Sequence, residues 1–99
     1  MASVYVTFGI VGARANFGDA SVFLGYGATS EVVTSSVASA QSTGTVGTTE
    51  FVQLYCATAV YVLAGTNPTV TATNGIYCPP GVAVYLAPKE GYKIAVIDA

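Results

Sequence analysis

The chain contains no histidine and no tryptophan, and charge of either sign is scarce. Arg14, Asp19, Glu31, Glu50, Lys89, Glu90, Lys93 and Asp98 are the whole charged set, 8% of 99 residues. Without histidine there is no Ser-His-Asp or Cys-His arrangement and no imidazole for proton transfer near neutral pH. The five carboxylates stand singly, so a glycosidase-like pair would need two of them to converge through the fold. The glycine-bearing stretch GIVGARANFG, Gly9 to Gly18, does not fit GxGxxG, and no P-loop lysine follows it. Its glycines read as turns or bulges. Neither an enzyme nor a cofactor is expected.

Three basic residues and a net charge of −2 leave no footprint for a phosphate backbone, which argues against nucleic acid as a partner. The same shortage removes a polybasic membrane-surface segment. The longest apolar stretch, Cys56 to Gly65, is interrupted by Thr58 and too short to span a bilayer. No membrane association is expected. Met1-Ala2-Ser3-Val4-Tyr5 lacks a positive n-region, so the chain reads as made in the cytoplasm and soluble there. Cys56 and Cys78, the two cysteines, are too few for a structural zinc site and form no CxxC motif. Two buried reduced thiols and a bridge formed in an oxidising medium both fit the sequence.

What the chain does have is 53% hydrophobic residues. Ordinary soluble domains carry roughly 25% charged residues, and a chain of this length buries about 60–65% of its unfolded surface. Much apolar side-chain area therefore finds no room in one small core. Large exposed apolar patches mark partner surfaces, so the composition points to a subunit of an assembly.

Valine, threonine and tyrosine dominate, and good helix formers other than alanine are scarce, which favours strands from end to end. Ser3 to Ile10, Ala20 to Tyr26 and Glu31 to Val37 read as the first three. Ala38 to Thr49, a run of small residues, reads as an exposed loop or irregular edge. Glu50 to Ala57 and Thr58 to Ala64 form one long bent strand or two. A turn at Gly65-Thr66-Asn67-Pro68 precedes a short alternating segment, Thr69 to Thr73, and Asn74-Gly75 signals another turn. Cys78-Pro79-Pro80-Gly81 ends the next strand, and Val82 to Ala87 and Tyr92 to Ile97 flank a turn at Pro88-Lys89-Glu90-Gly91. The expected fold is all-β: residues 1–99 as one small sandwich, jelly-roll-like or barrel-like domain of about eight short strands.

The aromatic residues supply the candidate contacts. Most tyrosines sit in strand-like runs, where cross-strand packing is the default. Phe17, Phe23 and Tyr26 lie in or beside glycine-rich segments and are the better candidates for contacts outside the domain. The first strand, with Val4, Tyr5, Val6 and Phe8, is uncharged and lacks the lysine or proline that normally guards a free edge. Either it is central in its own sheet or a partner completes it by docking or exchange. These seven residues form the expected interface set.

The final third carries a resemblance. Gly65-Thr-Asn-Pro-Thr-Val-Thr-Ala-Thr-Asn-Gly-Ile-Tyr-Cys-Pro-Pro-Gly-Val, followed by Lys89-Glu-Gly-Tyr-Lys-Ile-Ala-Val-Ile, resembles the C-terminal half of small virion proteins of tailed bacteriophages. Cys78-Pro79 stands where that family commonly has Leu-Pro, and Lys89-Glu90-Gly91 departs from its Pro-Gly. The resemblance implies a head decoration or cement protein: an all-β homotrimer, without catalytic residues, bound to the major capsid protein on the capsid exterior. A tail or fibre-type structural subunit is one alternative, and a β-sandwich module binding carbohydrate or a receptor is another.

Overall fold

A computed structural model describes residues 3–13, 21–23, 29–48 and 50–99. Among these residues there is no helix and there are nine strands. They are β1 (Ser3–Ala13), β2 (Ser21–Phe23), β3 (Thr29–Thr34), β4 (Ala40–Gln41), β5 (Glu50–Cys56), β6 (Val60–Gly65), β7 (Ile76–Cys78), β8 (Val84–Leu86) and β9 (Lys93–Asp98). Every pairing is antiparallel. One sheet has the order β3-β1-β5-β8, with β2 paired to the far end of β1, and the other has the order β4-β9-β6-β7.

Side-chain alternation explains why the sheets stack. Along β1, Val4, Val6 and Phe8 point inward; along β5, Val52, Leu54 and Cys56 do the same. The second sheet answers with Val60 and Val62 of β6, Cys78 of β7, and Ile94 and Val96 of β9. These residues form one cluster between the sheets, so the all-β fold is a small sandwich. Each fully buried Val, Leu, Ile or Phe contributes roughly 1.5–3 kcal/mol of burial free energy, which makes this seam the main source of stability.

The run from Glu50 to Gly65 is two strands in different sheets. Continued as one strand, its period of two would drive Thr58 onto the inward face after Cys56. Instead the chain turns a corner at Ala57-Thr58-Ala59, leaves Thr58 exposed, and re-enters the core at Val60 in the opposite sheet.

Of the two forms expected for the small-residue run, the irregular edge is the one found: residues 38–48 dock along β9 at the end of the second sheet, with Ala38, Thr43, Thr45 and Thr48 left exposed. The Ser42 amide donates to the Ile94 carbonyl at 2.7 Å, the Ile94 amide donates to Ser42 Oγ at 3.0 Å, and Val46 is a core residue. Small side chains let this edge approach β9 closely, and a hydroxyl takes the place of one ladder carbonyl. The alternating segment 69–73, expected as a strand, is a loop, because side chains rather than a strand ladder take its amides, Ser39 Oγ that of Val70 and Asn74 Oδ1 that of Thr71. Asn74 Oδ1 accepts from the Thr71 amide at 2.7 Å, and the Gly75 amide donates to the Thr71 carbonyl at 3.0 Å. At the expected turn before β9, Tyr92 N donates to Lys89 O at 3.2 Å and Gly91 has φ 85°, the value that a type II turn requires at its third position.

Candidate functional site

The two sheets differ in what covers their outer faces. Over the second sheet lies the connection 66–75. Gln41 Nε2 donates to Asn67 Oδ1 and to the Pro68 carbonyl, both at 2.8 Å, and the Val70 backbone amide donates to Ser39 Oγ at 3.0 Å. Ala95 faces outward by strand parity yet is fully buried, and so is Val70. Gly75 lies so close to Tyr61 that an added Cβ would sit 2.7 Å from the tyrosine Cβ. That sheet is closed in part by its own chain; Tyr77, packed on Tyr61 with ring centroids 5.7 Å apart, stays 52% exposed beside the loop.

Among the described residues, no comparable segment crosses the outer face of the β3-β1-β5-β8 sheet. Strand register assembles it in rows. Val32, Tyr5 and Tyr55 stand side by side on β3, β1 and β5; the next row runs Ser30, Thr7, Gln53 and Tyr85 across all four strands. The rings of Tyr5 and Tyr55 are 6.5 Å apart and tilted by 48°. Thr7 and Ser30 hydroxyls share a 2.8 Å hydrogen bond, and Gln53 Nε2 donates to the Tyr85 hydroxyl at 3.4 Å. Tyr85 is 60% exposed, Val32 53%, Tyr5 52% and Tyr55 42%, so the face is aromatic and open.

Its described residues also carry no charge. Among the described residues of these four strands, the acidic positions are Glu31 and Glu50, and both fall on the inward parity, opposite Val6 and Ile10. Each serves its own chain. Glu31 accepts from the Thr43 and Gly44 amides and the Thr43 hydroxyl, and Glu50 accepts from the Gly47 amide at 2.7 Å. Burial raises the pKa of Glu31, but the three hydrogen bonds outweigh it and hold the carboxyl below its usual value. Glu90 accepts from the Thr48 hydroxyl and Asp98 from the Ser35 hydroxyl, in two further places. Glu31, Glu50 and Glu90 thus hold successive residues of the 43–48 run, and Asp98 holds Ser35, so these carboxylates brace their own chain.

The cysteines meet at the end of the core. Both are free thiols and buried, and Cys56 Sγ lies 3.7 Å from the Cys78 carbonyl oxygen. Burial, and secondarily the neighbouring Cys56, pushes the Cys78 thiol up to about 11. Such thiols are protonated at neutral pH and poorly nucleophilic. Among the described residues no group of three or more His, Cys, Asp or Glu is placed to hold a metal ion. No helix of these residues is long and apolar enough to cross a membrane.

The expected interface set divides. Val4, Val6 and Phe8 are at most 1% exposed, inside the core, because β1 lies between β3 and β5 and presents them to the opposite sheet; they are not available to a partner. Tyr5 belongs to the open face. Phe17 and Tyr26 lie outside the described residues; Phe23 is described as a strand position of β2, its side chain lying outside the description. Tyr55, Tyr85 and Val32 were not in the set. Their signal was alternation: each tyrosine stands between two inward residues, as in Val4-Tyr5-Val6, Leu54-Tyr55-Cys56 and Val84-Tyr85-Leu86. Comparison with protein-family models, curated proteins and solved structures found no match for this chain.

Proposed function

We propose that this chain is a structural subunit of a virus particle, a decoration protein that binds the outside of a capsid shell as a closed homo-oligomer. The observation that carries the assembly role is the open, uncharged tyrosine face of the β3-β1-β5-β8 sheet. A large exposed aromatic patch on a small domain marks a protein contact, and tyrosine is enriched in such contacts. The capsid and the number three come from the resemblance of Gly65–Val82 and Lys89–Ile97 to small tailed-phage virion proteins. In this role the subunit acts without catalysis. It is made in the host cytoplasm and placed on the virion exterior against the major capsid protein. Several modest contacts per oligomer add up to strong attachment, and the area they bury must be lost before the shell opens.

A carbohydrate-binding module would use the same face. The 48° tilt between Tyr5 and Tyr55 disfavours it, since these rings do not form one flat stacking platform. A tail or fibre subunit would polymerise openly instead of closing. The test combines light scattering on the purified chain with co-sedimentation on expanded tailed-phage heads that lack their own decoration protein. A small closed oligomer that pellets with the heads and raises their disruption temperature is expected. Failure to pellet with any head tested, or an open polymer, argues against the proposal.

A further inference from the structure

We infer that the outer face of the β3-β1-β5-β8 sheet is where copies of this chain pack on one another, sheet against sheet and turned toward the oligomer axis. The inference deepens the functional reading above and rests on its oligomeric part. Three observations select a second copy as the occupant. The first is electrostatic. A face meeting its own copy meets its own charge, and this chain carries a net charge of −2. Among the described residues the tyrosine face avoids that cost, because Glu31 and Glu50 are on the inward parity and bound by their own loops. The outer face of the other sheet, by contrast, carries Lys93 by strand parity and is partly closed by the 66–75 loop.

The second observation is the chemistry of the polar row. Ser30, Thr7, Gln53 and Tyr85 each both donate and accept hydrogen bonds, so an identical row can pair with them in either orientation. The third is size. Fully covered aromatic side chains bury ~150–250 Å² each, so the half-open Tyr5, Tyr55 and Tyr85 with Val32 and the hydroxyl row leave roughly 500 Å² per copy. Two such faces together bury roughly 1,000 Å², the lower bound of a specific interface.

The experiment uses charge at the centre and rim of the face. Tyr55→Lys and Tyr55→Glu are made separately, with Tyr85→Lys and Tyr85→Glu as a second pair at the more exposed position. Val37→Lys, at an 88% exposed site outside these strands, is the control. Circular dichroism checks that each variant keeps its fold, and light scattering over the micromolar range reads mass. The wild type and V37K are expected to be oligomeric. Each single-charge variant should dissociate with its midpoint moved at least ~10-fold higher in concentration, and mixing a Lys variant with its Glu counterpart should restore the mass. A monomeric wild type, or folded variants of both pairs that keep the wild-type mass, overturns the inference. Variants that stay oligomeric but no longer pellet with phage heads would assign the face to the shell, sinking this inference and leaving the decoration role standing. Variants that dissociate as expected, from a wild type that never binds heads, leave the inference intact and remove the decoration role.

Discussion

Glu31 on β3 holds Gly44 of the segment that leads into β5: its Oε1 accepts from the Gly44 amide at 2.7 Å, while Oε2 takes the Thr43 amide and hydroxyl. The carboxylate thus ties the docked edge segment to the first sheet. Since the hydrogen bonds lower its pKa in the fold, the charged form is the stabilising one. This contribution is present above the unfolded pKa and is lost as pH falls through the lowered folded value. The melting temperature should therefore drop on acidification below about pH 4.5, and Glu31→Gln should flatten that part of the profile. At neutral pH the same variant should lose about 1 kcal/mol, or roughly 4–8 °C. An unchanged acid limb in the Gln variant would show that the clamp is not what titrates.

Gly75 is held by space rather than by backbone conformation. A Cβ there would meet Tyr61 Cβ at 2.7 Å, Val70 Cγ2 at 2.8 Å and the Thr71 carbonyl at 2.9 Å. Gly75→Ala should cost about 1–3 kcal/mol and loosen the 66–75 loop from the second sheet. Thermal melting reads the first effect and faster proteolytic cleavage within the loop reads the second. A fully stable, protease-resistant Ala variant would mean that the loop yields without loss.

The two thiols should be silent in the native protein. With Cys78 raised to about 11, on the order of one thiol in a thousand is ionised at pH 8, and burial blocks the reagent as well. A disulfide reagent such as DTNB should react slowly in buffer and release two equivalents promptly in denaturant. Rapid native reaction of one thiol would place it nearer the surface than the packing allows.

Strand class and inward–outward parity were legible because the chain repeats one device, tyrosine or threonine between two aliphatic residues, wherever a strand has one buried face. Val4-Tyr5-Val6 and Val60-Tyr61-Val62 show it. Val46 and Ser42 were not legible, since their burial depends on bonds to Tyr92 and Ile94 far along the chain and their neighbours are too small to form a periodic signal. Val70 was misleading: Thr69 to Thr73 alternates like a strand, yet Ser39 and Gln41 hold this region as a covering loop. The open face was half legible. Each tyrosine's outward direction follows from its own strand, but the gathering of Tyr5, Tyr55 and Tyr85 depends on the register of β1, β5 and β8, which no single segment encodes.

The last prediction separates the two sides of β1. Phe8 is buried opposite the second sheet and Tyr5 is half exposed on the open face, three positions away on the same strand. Phe8→Ala removes a large core side chain and should cost about 3–5 kcal/mol, enough to unfold much of a marginal domain. Tyr5→Ser loses the Tyr55 contact and little core area, so about 1 kcal/mol or less is expected for the isolated subunit. Because β1 is paired on both edges, by β3 and by β5, deleting residues 2 to 8 should abolish the β spectrum altogether rather than merely weaken assembly. Circular dichroism and thermal melts at a fixed concentration, repeated at a dilution where the wild type is monomeric, distinguish core loss from interface loss. The Phe8 penalty should persist on dilution, whereas any extra Tyr5 penalty should disappear with the oligomer. A truncated chain that keeps its strands would show β1 to be dispensable for the sandwich and overturn its central placement.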